Sequence, residues 1–589
     1  MKKLVLDPKK ISFKKKDINY FLGSFFLNLI PFKKKANYVI INKEDISLKK
    51  QNYQINYAKK IYKEILAEII PKLNKIHNIK WSHKTWNFFL GHWIHNYIAI
   101  ILDRLFLIKP ILKKKIDFSE QLSLGKNASL ITNDLRHFTE IAGHLDWNNK
   151  LISRLIYLLL TKDFNNNNSL ENSKLNLKTK KDNFFNIILF KFRVYLLNFL
   201  YSFFFIKKPF FIYNSYIKDK FKLIKIILSL GSLPLPFSFA FFNSKIIFSP
   251  INLNLRKEIN INYKNEKKIH LKIIKFLFVE CFPTIYLEGF NLQKKISDNS
   301  HFPKKVSGVF TASAYTDNSF KFWLADKLEK KSKIYFGSHG VSYNIRKNNY
   351  HEEEEVKISK KYFIWGKIKN DKKMINVGNF LVNSNIHYDK SLEIKKYLIV
   401  LHVYDFYKRY MTVFFSKANM EDAKQINNMM NYFKDNIKSK IHIRPHPQDF
   451  RREFSMLNFI KSNNKSIKIL KPSQNFQKFS HNYHFLIFTY LSTEFMNSLT
   501  LNKPCMVYIN KNEFSKYTTK AKYYFLKLHS AGIVHFSGNS LSKKLNMVSR
   551  NLDVWWNSPK IIKIKKQFCE SYCDPNFNYK IIISNLKKN

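Results

Sequence analysis

From Tyr57 to Asn74, and again from Trp86 to Ile108, apolar residues recur every three or four positions, the spacing that turns one stripe of a helix toward a core. His77-Asn78 and Trp81-Ser82-His83 stand between these stretches and supply a polar break, so the pattern predicts two amphipathic helices and an N-terminal helical section. After Cys281-Phe282-Pro283 the period changes to short apolar runs alternating with helical stretches: Val309-Phe310-Thr311, a helix through Phe320 to Glu329, Ile334-Tyr335-Phe336, and Tyr362 to Gly366. A second series opens at Tyr397-Leu398-Ile399-Val400-Leu401. It continues with a helix from about Asn419 to Asn436, then Ile441-His442-Ile443, His484 to Phe488, a helix over Glu494 to Thr500, and Cys505 to Tyr508. Buried strands alternating with helices predict an α/β fold with two sheets, the break falling near residue 390. The expected organisation is a helical extension over 1–120, an α/β domain over 121–390 and a second over 391–589. A polar loop near 163–182 interrupts the first α/β domain: Asn165 to Asn168 and their polar neighbours up to Lys181 have no apolar period.

Composition narrows the class. Of 589 residues, 45% are hydrophobic and 16% aromatic, enough for a large core and incompatible with global disorder. The 102 Lys+Arg against 42 Asp+Glu leave +60, a charge that suits nucleic acid, an anionic membrane or phosphate-bearing substrates. Lysine, asparagine, isoleucine, phenylalanine and tyrosine crowd the whole chain, the pattern an AT-rich genome produces, and the lysines form no single stripe of the kind nucleic acid needs. Specific nucleic-acid binding is therefore not expected. Cys281, Cys505, Cys569 and Cys573 are too few and scattered for a disulfide scaffold, and no second Cys/His pair near Cys569 and Cys573 completes a metal site. The first residues hold too short an apolar stretch for a signal peptide, and a cytoplasmic protein is expected. Val194 to Ile206, thirteen residues flanked by Lys191, Arg193, Lys207 and Lys208, are too few to span a bilayer; they suit either a headgroup-layer helix touching the inner face of the cell membrane or a buried core helix.

Two loops carry the candidate chemistry. Phe336-Gly337-Ser338-His339-Gly340 places an imidazole where a strand gives way to a loop, with Gly337 and Gly340 allowing close approach of a substrate; the alternative is a satisfied core histidine. Ile443-Arg444-Pro445-His446-Pro447 holds two side chains able to meet phosphate at another strand end, where α/β sheets bind ligands, or else forms a rigid surface turn. Ser492-Thr493-Glu494 opens a helix in the same unit. Its hydroxyls and free N–H groups suit a phosphate, and Glu494 suits ribose hydroxyls, although an ordinary N-cap accounts equally for Ser492-Thr493. Neither loop contains a dinucleotide glycine fingerprint or a P-loop ending, so hydride transfer and ATP hydrolysis lose ground. No metal and no cofactor is required.

On these and further dispersed motifs the chain resembles the transferase family encoded in O-antigen and other surface-carbohydrate loci, which is similar to glycerophosphotransferases and capsule transferases of GT-B-like fold. The resemblance rests on Pro71, Leu73, Asn74, His77, Trp86, Gly91, Trp93, Asp103 and Arg104, on Tyr286 to Phe290, and on Phe320 to Trp323. Gly337-Ser338-His339-Gly340, Ile364-Trp365-Gly366, Val377-Gly378-Asn379 and Asn502-Lys503-Pro504 complete it. This chain has Ser338 and Val341 where the family tends toward glutamine and a second glycine, and Thr489 where related transferases often carry an acidic residue. The resemblance implies a GT-B-like pair of Rossmann-like domains that transfers a sugar or phosphoglycerol-type group from a nucleotide-activated donor to a polysaccharide or lipid-linked acceptor, without a metal. Within it His339 would be the general base, Arg444 and His446 would neutralise the leaving diphosphate, and Ser492, Thr493 and Glu494 would position the nucleotide. Rival readings are an epimerase resembling nucleotide-sugar 2-epimerases, a nucleic-acid-binding protein, and a noncatalytic membrane-associated scaffold of a polysaccharide assembly complex.

Overall fold

The computed structural model describes residues 1–22, 37–41, 48–164, 210–232, 249–300, 302–382, 396–402, 418–446, 456–464, 467–471, 476 and 480–587. The sequence expectations for 165–182 and for Val194 to Ile206 lie outside the described residues.

Three short parallel strands, β1 (Lys2–Val5), β2 (Ile18–Leu22) and β3 (Tyr38–Ile41), precede the helices. The sequence pattern did not reveal this sheet, because lysine clusters break its four- and five-residue runs. The first helix, α1 (Leu48–His77), and the second, α2 (His83–Leu112), are longer than their apolar periods suggested. Ser82 caps α2 by accepting from the Thr85 N–H, and between the helices Asn74 ties the turn: its Nδ2 donates to the Trp81 carbonyl, and its Oδ1 accepts from Trp86 Nε1 at 2.8 Å. α2 is buried on nearly every face, with Trp86 and Trp93 fully enclosed, which explains a composition apolar beyond what a one-faced helix needs.

Five parallel strands form the first large sheet in sequential order, β4 (Phe210–Ile212), β5 (Gly308–Thr311), β6 (Lys333–Gly337), β7 (Lys361–Ile364) and β8 (Met374–Asn376). The second sheet runs in the order β11 (Lys468–Ile469), β10 (Ile441–Arg444), β9 (Tyr397–Val400), β12 (Phe485–Phe488), β13 (Cys505–Tyr508) and β14 (Val534–His535), again all parallel. Written as sequence ranks this is 3-2-1-4-5-6, the doubly wound order of dinucleotide-binding sheets. The α/β, two-sheet architecture expected of a GT-B-like enzyme is therefore what the chain folds into. Strands β5, β9, β12 and β13 are buried on both faces and accordingly read as largely apolar runs, whereas β8 and β11 are partly exposed.

The two α/β units are joined by backbone as well as side chains. Lys347 N donates to the Lys516 carbonyl at 2.9 Å, Thr518 N to the Ile345 carbonyl at 2.8 Å, and Arg346 pairs with Glu513 at 2.6 Å. After the helix Pro559–Tyr572 the chain returns to the first unit: Asp574 N bonds the Trp365 carbonyl, Asn578 N the Val377 carbonyl, and the helix Tyr579–Lys587 packs on Lys220–Ser229 beside the first sheet.

Candidate active site

In a doubly wound sheet, ligands bind outside the carboxyl ends of the strands where the strand order reverses. Here that point lies between β9 and β12. His402 follows β9 and Thr489-Tyr490 follow β12, and the two ends are clamped: Thr489 Oγ1 donates to the Val400 carbonyl at 3.1 Å and accepts from His402 N at 3.3 Å. The His402 ring stacks on Tyr490, centroids 4.2 Å apart and planes within 11°. Thr489 thus has a structural use for its hydroxyl at the place where related transferases often carry an acid.

Arg444 ends β10 on the neighbouring strand. It is only 8% exposed and lies over the Phe476 ring at 5.0 Å. Burial lowers its pKa, and the charges of Glu494 and then Tyr490 oppose that shift, so these groups stand within electrostatic reach of one another. Ser492 is the N-cap of the helix Thr493–Thr500, its hydroxyl accepting from Phe495 N at 3.1 Å. That oxygen is committed to the helix, while Thr493 and Glu494 in the first turn are half-buried. His446 is half-buried two residues beyond Arg444, past a buried Pro445. Of the residues singled out by sequence, Arg444, Ser492, Thr493 and Glu494 converge near the reversal point, and His446 belongs to the same strand end.

His339 lies on the other unit, two residues past the end of β6. The loop is fixed on both sides of it: Ser338 N donates to the Phe363 carbonyl at 2.8 Å, and Trp365 Nε1 to the Ser338 carbonyl at 2.9 Å. The His339 Nδ1 is 3.2 Å from the Tyr343 hydroxyl, and its ring stacks on Tyr216 at 5.9 Å. Burial pulls its pKa down to about 4, against a hydrogen bond to the Ala312 carbonyl that favours the protonated ring. Space at Gly337 is taken by the rings of Phe380 and Phe310, so its lack of a side chain serves packing; Gly340 lies against Tyr343. Ser338, Gly340, Val341 and Tyr343 line a crevice shared with Met496 of the helix Thr493–Thr500 and with Tyr572. Its void of about 10 Å³ has room for no more than about one water, so the His339 loop and the helix Thr493–Thr500 meet almost directly.

Behind the loop is a layer the sequence did not point to. His92 of α2 is 2% exposed, lies 4.1 Å from the His351 ring and 3.6 Å from that of Tyr315, and its pKa falls well below 6.5 through burial and then the nearby His351. His351 is drawn down to about 4 by burial and by His339. Glu355 is fully buried, accepts from Tyr362 Oη at 2.9 Å, and is raised well above the ordinary carboxylate range by burial. His402 and Tyr490 were also missed, though a signal existed: each directly follows or closely trails a strand-like run of the second series, as Arg444 does. Nothing in the chain's spacing links His92, His351 or Glu355 to His339; only the fold brings them together. Among the described residues no group of three or more His, Cys, Asp or Glu stands where it could hold a metal ion, and all four cysteines are buried and free.

The family model described as "LIC12162 family transferase" matches residues 2–585. No curated protein matches the chain. Among solved structures, MnaA of S. aureus with UDP is 13% identical, covers 65% of this chain and 96% of its own, and superposes with a TM-score of 0.35. MurG of Acinetobacter baumannii is 10% identical over 65% of this chain and 100% of its own, with a TM-score of 0.32. The wall teichoic acid polymerase TagF is 14% identical over 48% and 72%, with a TM-score of 0.30.

Proposed function

The chain belongs to the LIC12162 family of transferases, and from that premise we propose that it moves a sugar or phosphoglycerol-type group from a nucleotide-activated donor to a surface-polysaccharide or lipid-linked acceptor. The observation that carries this reading is the grouping of Arg444, Glu494, Tyr490 and the start of the helix Thr493–Thr500 at the reversal point of a 3-2-1-4-5-6 sheet. A buried guanidinium beside a helix N-terminus is suited to a diphosphate, which gains negative charge as it leaves. Arg444 and His446 neutralise that charge, the N–H groups at Thr493 and Glu494 add to it, and the Glu494 carboxylate accepts from the ribose. His339, on the facing unit, takes the proton of the acceptor hydroxyl as it attacks. The reaction takes place at the inner face of the cell membrane, where a lipid-linked acceptor and anionic headgroups would meet a chain of +60.

Thermal shift against a panel of nucleotides and nucleotide sugars tests the proposal. A ligand at a hundred times its dissociation constant adds about 2.7 kcal/mol to stability. The expected result is a rise in Tm with one nucleoside diphosphate and its sugar or polyol conjugates; no rise across the panel would overturn it.

A further inference from the structure

Away from the strand ends, the helical layer carries two adjoining clefts that the proposed transfer does not use. The larger, about 460 Å³, lies among α1, α2, the helix Leu145–Thr161 and the start of the helix Ile269–Cys281. Tyr53, Tyr57, Leu102, Leu105, Phe106 and Leu159 give it an apolar wall. Tyr53 and Phe106 are 69% and 39% exposed, large rings facing water beside aliphatic surface. The wall is held in place: the Tyr53 and Tyr57 rings stack with planes within 4°, Tyr57 Oη is 2.7 Å from His270 Nε2, and Lys268 Nζ stands 5.9 Å from the Tyr57 ring centre. Its polar lining is Gln54, His270 and two exposed lysines, Lys109 and Lys268. The smaller cleft, about 300 Å³, shares Tyr57 and Lys268 with the first and has the opposite character, with Lys60, Lys267 and Lys268 beside Glu64 and Glu266. Both carboxylates already face another cation, since Lys275 Nζ bonds Glu266 and lies 3.9 Å from Glu64. Among the described residues Lys60 and Lys267 are in no ion pair, so this cleft keeps a surplus of positive charge.

We propose that the paired clefts bind a lipid phosphate, its hydrocarbon chain lying in the apolar cleft and its phosphate meeting Lys60, Lys267 and Lys268 in the other. The larger cleft falls in the range of about 300–1,000 Å³ that small-molecule sites occupy. Leucine side chains offer nothing to hydrogen-bond a nucleobase or a sugar, so the apolar cleft suits a chain. The lysines beside it select an anionic head, and a compact ammonium suits phosphate as a point charge. The site also lies on the layer that reaches the candidate active site. Lys59, next to Lys60, pairs with Glu353 at 3.1 Å, and five residues after Tyr57, about 7.5 Å along α1, the Tyr62 hydroxyl is 3.3 Å from that of Tyr350. Tyr350 opens the helix Tyr350–Ile358, into which the His339 loop leads. The assignment of this lipid as the acceptor's anchor rests on the transferase reading above; the binding site itself rests on the clefts.

The test is calorimetric titration of the full chain with decyl phosphate below its micelle concentration, alongside 1-decanol and inorganic phosphate. Decyl phosphate is expected to bind one-to-one and about tenfold or more tighter than either control, because chain and head then act together. Phe106→Glu, at a partly exposed position, and the double variant Lys60→Gln/Lys267→Gln, each confirmed folded by circular dichroism, should both weaken decyl phosphate by about tenfold or more. The lysine variant should leave 1-decanol unchanged. No binding by the parent, equal affinity for decyl phosphate in parent and Phe106→Glu, or inorganic phosphate held as tightly as decyl phosphate would each overturn the proposal. Phosphatidylglycerol vesicles separate a single lipid from a bilayer surface: binding to the vesicles that depends on Phe106, with decyl phosphate left unbound, would make the cleft a bilayer contact and overturn the lipid-phosphate site. The nucleotide thermal shift is read independently, and no response there with decyl phosphate bound would overturn the donor reading while the cleft assignment stands.

Discussion

Arg444 shows how much one residue can disclose from sequence. An arginine ending a strand beside two prolines reads in the sequence as a candidate ligand contact, and the structure places it 8% exposed with Glu494 in electrostatic reach. Arg444→Ala is expected to weaken binding of both the free nucleoside diphosphate and the intact donor by about tenfold or more, since charge-assisted hydrogen bonds contribute on the order of 1.5–3 kcal/mol. Calorimetric titration reads this directly, and equal affinity in parent and variant would remove Arg444 from the phosphate site. His339→Ala should divide differently: donor affinity nearly unchanged, turnover down about 10²–10⁴-fold, the usual share of a positioned base. Other residues that stood out in the sequence turn out to hold the scaffold together. His77 bonds the Tyr286 carbonyl at 3.1 Å, Glu288 forms a buried ion pair with Arg256, and Lys321 donates to Tyr286 Oη at 2.8 Å. Dispersed motif residues are thus mostly fastenings between distant segments, which is why the site could not be picked out from them alone.

At the scale of elements, periodicity located the long helices and every strand of the second sheet that it named, usually within a few residues. The helix expected to run to Asn436 stops at Tyr432, and a short second helix begins at Asp435 after Lys434. What period cannot encode is which elements touch. Ile364-Trp365-Gly366 reads as a strand end and Val377-Gly378-Asn379 only as a motif of the resemblance, yet both glycines make room for the returning C-terminal segment: a side chain at Gly366 would strike the backbone of Ser571 and Tyr572, and one at Gly378, where φ is +81°, that of Asn576. Asn502 has a comparable role, taking a left-handed φ of 54° after the helix Thr493–Thr500 while its Oδ1 accepts from Lys565 at 2.7 Å and Trp556 at 3.0 Å. Gly366→Ala is expected to push that segment away, weakening the bonds from Lys367 N to Glu570 and from Ile368 N to Ser571. Overpacking against backbone costs roughly 1–3 kcal/mol. Limited proteolysis should then cut beyond residue 558 faster than in the parent, with a lower Tm; an unchanged cleavage rate would mean the junction adapts without opening.

For the whole molecule, charge says less than burial. The net +60 is spread along the chain, and no described helix is long and apolar enough to cross a membrane. The titration behaviour of the fold is set instead by where ionisable groups are enclosed. Among the described residues His77, His92, His95, His137, His270, His339, His351, His442, His481 and His535 all have lowered pKa values, chiefly through burial. A lowered folded-state value means that the unfolded chain binds the proton first as pH falls. The stabilisation is complete above about 6.5, is lost as pH drops from there toward 4, and is gone below the folded-state value. Glu280, Glu352, Glu355 and Asp422 act in the opposite sense, since burial raises them and their share of stability fades as pH rises through their folded values. Histidines outnumber these acids, so a net loss of stability is expected between pH 7 and 4.5, measurable as a falling urea midpoint. His535 isolates one contribution: it is 4% exposed, bonds the Gly532 carbonyl and the Ser540 hydroxyl at 3.0 Å each, and is drawn to about 4. A displacement of that size corresponds to about 3 kcal/mol across the window, at 1.36 kcal/mol per unit. His535→Asn is expected to be less stable than the parent at pH 7 through its altered hydrogen bonds, yet to lose less with acidification. The gap between the two urea curves should therefore narrow as pH falls from 6.5 to 4.5; a gap of constant width would show that the imidazole titrates in the fold as it does in the open chain.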